Sequence, residues 1–183
     1  MVTRILLLLL LAAPAFAAEV AGVKIDEQAR VGSAELVLKG AGLRKRFFLQ
    51  VYAMGLYVAD RNADPVAQPG AKRIAIHMLR DVDADSFAKA LVDGMRPNHD
   101  EATMKGLEPR IGQLNAIMAG MKEAKKGMPI ALDWVPGVGT QVTIDGKPAG
   151  KPIEGEDFYR ALLRIWLGEK PVQGDLKKAL LGL

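Results

Sequence analysis

The sequence predicts an α+β protein in which helices pack on one face of a curved antiparallel β-sheet. Three observations lead to this class. Strand-like and helical segments follow one another as strands, helices, strands and helices, and the strands are separated by short connections that favour antiparallel pairing. The helical segments repeat apolar residues on one face only. No internal repeat or low-complexity tract divides the chain, so we expect a single domain over residues 18–183.

The first 17 residues have the pattern of a secretory signal peptide. Arg4 precedes the apolar run "ILLLLLLAA", and the small residues Ala15 and Ala17 form an A-x-A cleavage site. An uncleaved anchor is the alternative, but the apolar run is shorter than the ~20 residues that a membrane-spanning helix needs. We therefore expect cleavage after Ala17, or one residue later, and a periplasmic or secreted domain without a stable membrane span.

The amino-acid composition limits the kinds of functional site that the protein can contain. The 183 residues include no cysteine and two histidines, His77 and His99, which excludes zinc–thiolate sites and thiol nucleophiles and predicts neither a metal nor a cofactor. The formal net charge of +4 is spread along the chain, unlike the dense basic stripe of nucleic-acid-binding proteins. We expect a monomer whose partner is an anionic small molecule or a lipid headgroup, and no nucleic acid.

The strands are predicted from alternating apolar residues and the helices from 3.6-residue spacing. "VAGVKI" and "AELVLKG" read as two short strands separated by a polar stretch, and "RFFLQVYAMGLYVA" reads as one central strand covered on both faces. "KRIAIHMLR" follows, then a helix in "DVDADSFAKALVDGM" and a long helix over residues 100–125, with Pro109 near the start of its main part. A meander around "PGVG" and Asp145-Gly146 leads to two closing helices, in "EGEDFYRALLRIWLG" and "GDLKKALLGL".

The usual enzyme motifs are missing, and one pair of side chains remains of interest. Ser33 and Ser86 lie outside any G-x-S-x-G setting, and no glycine-rich segment is followed by a helix. Arg44 and Tyr52 are eight residues apart, so on a continuous strand they share a face and can meet a carboxylate or an enolate-like oxygen. The alternative is a solvated Arg44 at a strand end and a core Tyr52.

Four segments resemble the chalcone isomerase-like family, above all its bacterial secreted branch: "GAGLRKRFFLQVYAMGLYVAD", "IHMLRDVDADSFAKAL", "LDWVPGVGTQVTIDGK" and "DFYRALLRIWLGEKPVQGDLKKALLG". The resemblance covers nearly the whole chain after the leader. It implies an open-faced antiparallel sheet with helices layered on one side. It also implies one of two activities: intramolecular closure of a chalcone to a flavanone, or non-catalytic binding of a fatty acid held by an arginine and a tyrosine.

The resemblance also assigns candidate site residues. "AGLR" places Arg44 at the family's pocket arginine, and Tyr52 stands where the enzymes have threonine, as in the fatty-acid-binding members. Asn115 matches the enzymes' helix asparagine to within one residue, whereas Glu108 falls near their helix tyrosine. Ile165 replaces their threonine before the "LGE" step.

Three hypotheses follow. The first is a binding protein for a fatty acid or a similar amphipathic carboxylate, with Arg44 and Tyr52 holding the carboxylate. Its remaining ligand-binding residues would be Phe48, Asn115, Met118 and Ile165. The second is an isomerase (intramolecular lyase) acting on an enone-like phenolic, with Arg44, Tyr52 and Asn115 as catalytic residues. The third is a structural envelope protein with a vestigial pocket, in which Arg44 pairs with a protein carboxylate such as Glu35. Trp134 and Trp166 are expected in the core, and His77 in a strand.

Overall fold

A computed structural model describes residues 16–183. The strands are β1 (Phe16–Val20), β2 (Val23–Asp26), β3 (Gln28–Val31), β4 (Ala34–Arg46), β5 (Leu49–Val58), β6 (Lys72–Met78), β7 (Val82–Asp83), β8 (Glu123–Ala124), β9 (Pro129–Val135), β10 (Gly139–Ile144) and β11 (Lys147–Ile153). The helices are α1 (Ala84–Met95), α2 (Glu101–Ala119), α3 (Glu156–Leu167) and α4 (Gly174–Leu181), with a 3₁₀ turn at Arg96–Asn98. The predicted leader lies outside the described residues, apart from its last two, which begin β1.

Seven strands form one antiparallel sheet in the order β11-β10-β9-β6-β5-β4-β3. Two small antiparallel pairs, β1–β2 and β7–β8, complete the strands. The meander predicted around "PGVG" and Asp145-Gly146 is β9–β10–β11. The α+β class and the antiparallel sheet are thus confirmed.

The two faces of the sheet are covered by different elements. On one face Met54, Leu56 and Val58 of β5 join a core to which all four helices contribute. On the other face Tyr57 packs with Ile25 of the β1–β2 hairpin, in a smaller cluster that includes no residue of α1–α4. The helices therefore lie on one side, and β5 is covered on both sides, as its sequence predicted.

The segment around the basic cluster differs from its prediction. The predicted single strand from Arg46 onward is divided, because Phe47 and Phe48 form a two-residue turn between β4 and β5. Phe47 has φ 55°, a conformation for which Gly or Asn is the usual signal, so the alternation of apolar residues concealed the turn. The expected short strand "AELVLKG" instead continues to Arg46, and the expected polar stretch before it contains β3.

The length of α2 also differs from its prediction. Asp100 caps its start by accepting a hydrogen bond from the Thr103 amide, as Asp83 does for α1 from Ser86. The helix ends at Ala119 instead of residue 125, because the chain turns at Gly120 and then pairs as β8 with β7. Pro109 lies inside α2, further from its start than expected.

Two glycines of β4 set the position of α4. A Cβ at Gly40 would lie 2.2 Å from the Ala179 carbonyl oxygen, and one at Gly42 would lie 2.8 Å from both Ala179 Cβ and Leu176 Cδ1. The helix backbone therefore packs directly on the strand. This contact brings the residue before α4, Gln173, beside the end of β4. No helix among residues 16–183 is both long enough and apolar enough to cross a bilayer.

Candidate functional site

A cavity of about 870 Å³ opens between the end of the β4–β5 hairpin, α1 and the α3–α4 connection. This volume is within the range typical of small-molecule sites, roughly 300–1,000 Å³. Its apolar lining is formed by Leu49, Val51, Val82, Phe87, Ala90, Leu91, Pro97, Ile165, Pro171 and Val172. The cavity also includes Arg44, Phe47 and Tyr52, so the basic cluster of the sequence lies at a candidate binding site.

Arg44 and Tyr52 both line the cavity, but their positions in the sheet differ from the predicted ones. They lie on neighbouring strands, β4 and β5, as directly opposed residues of the antiparallel ladder, instead of eight residues apart on one strand. Opposed residues project on the same face of a sheet, about 4.5–5.5 Å apart at Cβ. The hairpin therefore brings the two side chains together.

The hydroxyl of Tyr52 is held in place by Trp166. Tyr52 is 7% exposed, and the indole Nε1–H of Trp166 donates a hydrogen bond of 2.8 Å to its oxygen. Burial raises the pKa of the Tyr52 phenol above its ordinary value of 10.0, and the Trp166 N–H and the Arg44 charge offset part of that shift. The phenol is thus protonated at neutral pH. Among the described residues no acceptor receives its proton, which leaves it able to donate to a ligand.

Arg44 has no carboxylate partner among residues 16–183. Its Nη1 donates to the Lys45 carbonyl oxygen at 2.5 Å and to Gln173 Oε1 at 3.3 Å. Glu35, the partner expected for a vestigial pocket, instead accepts from Arg30 on the neighbouring strand. The half-buried Arg44 guanidinium therefore keeps its charge free for an anion from solution.

Gln173 fixes the strand that carries Arg44. Its Oε1 accepts from the Lys45 amide at 2.8 Å, and its Nε2 donates to the Leu43 carbonyl oxygen at 3.1 Å. These bonds satisfy the Leu43 carbonyl and the Lys45 amide, the backbone groups on either side of Arg44 that have no partner strand within the described residues. Gln173 was not predicted as a site residue and Trp166 was predicted only as a core residue, because neither has a local sequence signal for its role.

The remaining predicted ligand residues are separated by the fold. Ile165 lines the cavity, whereas Phe48 is 88% exposed at the hairpin turn and does not. Phe47 lines the cavity instead. Phe48 was assigned to the Tyr52 face from the alternation of one continuous strand, and the turn at Phe47 and Phe48 interrupts that strand. Met118 is fully buried in the core. Asn115 is exposed on α2 and lines a separate recess of about 390 Å³ between α1 and α2.

Charged side chains surround the opening of the cavity. Arg46, Arg80 and Lys170 are exposed cations of its lining. The acidic residues of the lining have protein partners: Asp81 accepts from the Lys126 amide, Asp83 from the Ser86 amide, and Asp93 from Lys89 Nζ. Asp81 and Asp83 keep their charge, because their donors are backbone amides, but the four cations of the lining, Arg44 included, outnumber its three carboxylates. The net charge of the lining is therefore weakly positive, which favours an anionic ligand.

The arrangement of side chains at the cavity suits an anionic ligand. Neither His77 nor His99 lines the cavity. His77 lies half-buried in β6, as expected of a strand histidine. Within residues 16–183 no group of three or more His, Cys, Asp or Glu side chains is arranged to hold a metal ion. An arginine and a protonated phenol above an apolar chamber are suited to the charged end of an amphipathic molecule.

Comparison with known proteins agrees with this architecture. The fold is similar to the crystal structure of a fatty-acid binding protein from Arabidopsis thaliana, with a TM-score of 0.65 and 16% sequence identity. The similarity covers 87% of this chain and 92% of the Arabidopsis chain. No curated protein matches by sequence. The family described as chalcone isomerase-like matches residues 17–182, and the chain therefore belongs to the chalcone isomerase-like family.

Proposed function

We propose that this protein binds a fatty acid or a similar amphipathic carboxylate in the cavity behind the β4–β5 hairpin. The observation that carries the proposal is the meeting of the Arg44 guanidinium, which has no carboxylate partner among residues 16–183, and the Tyr52 hydroxyl at a cavity of about 870 Å³ with a largely apolar lining. The carboxylate accepts from Arg44 and from the Tyr52 hydroxyl. The hydrocarbon tail lies against residues such as Phe87, Leu91 and Ile165.

Physical chemistry supports this orientation of the ligand. A carboxylate that leaves water needs charge-assisted hydrogen bonds to offset its lost hydration, and Arg44 and Tyr52 are available for them. Each CH₂ of the tail gains about 0.8 kcal/mol when it leaves water for an apolar lining. The fatty-acid binding protein of similar fold adds support at the level of the ligand class.

We further propose that the protein is non-catalytic. An intramolecular addition needs a group that moves a proton at the reacting centre, and the cavity lining includes no histidine. Its acidic side chains, Asp81, Asp83 and Asp93, accept hydrogen bonds from the backbone amides of Lys126 and Ser86 and from Lys89 Nζ. Ile165 occupies the position at which the resemblance expects the enzymes' threonine. The leader pattern of residues 1–17 supports the further proposal that the protein acts in the periplasm or outside the cell.

Calorimetric titration with a long-chain fatty acid tests the binding proposal. Arg44→Ala should weaken binding by about 2–4 kcal/mol, roughly 30- to 1,000-fold, because it removes the cation that meets the carboxylate. Arg61→Ala is the matched control, since Arg61 is an exposed arginine that does not line the cavity. Equal affinities of the two variants would refute the assignment of Arg44, and absence of binding to a folded wild-type protein would refute the function.

A further inference from the structure

The tip of the β4–β5 hairpin, residues 45–49, exposes two adjacent aromatic rings. Phe47 and Phe48 are each 88% exposed and Leu49 is 40% exposed. In the part of the chain that the structure describes, the other exposed large apolar residues are Val138, in the β9–β10 turn, and the C-terminal Leu183. Three consecutive apolar residues are therefore presented to solvent at one projecting turn, which is the usual mark of an interaction surface.

Neither local backbone preference nor packing accounts for an aromatic residue at this turn. Phe47 adopts φ 55°, a conformation in which glycine or asparagine avoids the steric conflict of a Cβ atom. The solvent exposure of both rings means that core packing does not compensate for this conflict. Strain retained at an exposed aromatic residue points to a role in binding.

The charge beside the rings identifies the kind of partner. Lys45 and Arg46 are exposed, and their side chains have no hydrogen-bond or ion-pair partner among residues 16–183. Arg80, at the same opening, is also exposed and without a partner within that range. Contact between the tips of two copies would oppose these cations, so like-charge repulsion disfavours a second copy as the partner. Aromatic rings flanked by unpaired cations fit an anionic lipid surface.

We propose that the hairpin tip docks on anionic lipid bilayers. The rings of Phe47 and Phe48 enter the boundary between headgroups and acyl chains, while Lys45 and Arg46 contact lipid phosphates. The tip adjoins the cavity, because Arg46, Phe47 and Leu49 also line it. A docked tip therefore turns the opening towards the bilayer. An amphipathic carboxylate can then pass between the membrane and the cavity without crossing water, a consequence that rests on the proposed function.

Vesicle flotation tests the docking. The protein, as isolated from its producing cells, is mixed with vesicles of phosphatidylcholine alone or of equimolar phosphatidylcholine and phosphatidylglycerol. The wild type should float with the anionic vesicles, and Phe47→Ser/Phe48→Ser should reduce the bound fraction on the order of tenfold. Lys45→Gln/Arg46→Gln should reduce it similarly and weaken its dependence on salt. All variants share one N-terminus, so a leader contributes equally to each.

The matched controls are Val138→Ser for the apolar change and Lys147→Gln/Lys151→Gln for the charge change. These residues are exposed on the β9–β11 meander, and their variants should bind like the wild type. Equal flotation of tip and control variants, or failure of the wild type to bind anionic vesicles, would overturn the proposal. So would a wild-type dimer that dissociates in the Phe47→Ser/Phe48→Ser variant, since the tip would then be a contact between copies.

A single tryptophan substitution reports on the tip itself. Trp134 and Trp166 are 7% and 1% exposed, so the new indole in Phe48→Trp is the solvent-exposed reporter. Its emission should shift to the blue when anionic vesicles are added. Emission that remains typical of water while the protein floats would show that another surface binds, and would contradict the docking. Fatty-acid affinity measured by calorimetry in free solution is independent of this result, so failure of docking is distinguishable from failure of the proposed binding function.

Discussion

The hydrogen bond between Trp166 and Tyr52 links the helix layer to the sheet at the candidate site, and its coupling energy is measurable. Tyr52→Phe leaves the indole N–H, in a residue only 1% exposed, without an acceptor, which costs about 1–3 kcal/mol of unfolding free energy. Trp166→Phe removes the donor and also leaves a void, so roughly 2–4 kcal/mol is expected. The bond can be lost only once, so the double variant should be less destabilised than the sum by about 1–2 kcal/mol.

Urea unfolding followed by far-ultraviolet circular dichroism measures these four proteins without depending on tryptophan fluorescence. A matched control replaces Tyr52→Phe by Tyr159→Phe, because Tyr159 is also a buried tyrosine, but its hydroxyl donates to the Leu132 carbonyl oxygen, whereas the Trp166 N–H donates to Tyr52. Its effect should add to that of Trp166→Phe to within ~0.5 kcal/mol. A coupling below that limit for Tyr52, or equal coupling in the control pair, would refute the inference that Trp166 positions the phenol.

Two further predictions concern the sheet. Gly40→Ala should destabilise the protein by about 1–3 kcal/mol in urea unfolding, because the new Cβ meets the Ala179 carbonyl oxygen at 2.2 Å. The control Gly106→Ala, with open space around it in α2, should be neutral or stabilising, and equal effects would contradict the close packing of α4. Burial lowers the pKa of His77, with a smaller opposing effect of Asp26, so the folded state disfavours the charged imidazole. The contribution of the neutral His77 side chain to stability is therefore complete above about pH 6.5 and decreases as the pH falls through the lowered pKa. The urea midpoint of unfolding of His77→Gln should accordingly depend less on pH than that of the wild type between about pH 7.5 and 5. Unchanged pH dependence would contradict this account.

The sequence was most informative where periodicity is local. Helix α3 follows strict one-face spacing from Phe158 to Trp166, and the structure buries that face. The β9–β11 meander was equally readable from its Asp145-Gly146 turn. The β4–β5 hairpin was missed because its turn is made of two phenylalanines, which read as strand residues when tertiary position is unknown. The early end of α2 was missed because pairing of β7 with β8 fixes it.

The candidate site was predictable only in part. Resemblance and spacing both selected Arg44 and Tyr52, yet these residues meet across a hairpin instead of along one strand. Gln173 lies 129 residues from Arg44 and Trp166 lies 114 residues from Tyr52, so only the packing of α3 and α4 on the sheet brings them together. Asn115 was predicted from the resemblance and Met118 as an apolar residue of the tail pocket, but α2 places Asn115 at a separate recess and Met118 in the core.

Mass spectrometry of organic extracts tests the central claim most directly. Wild-type protein, Arg44→Ala and Arg61→Ala are purified from the same cells in parallel, and their folding is verified by circular dichroism. A fatty acid or related carboxylate should be present in the wild type and in Arg61→Ala and depleted in Arg44→Ala, because the half-buried Arg44 guanidinium lies opposite Tyr52 and has no carboxylate partner among residues 16–183. Equal amounts in all three proteins, or empty extracts from well-folded wild type, would contradict the account.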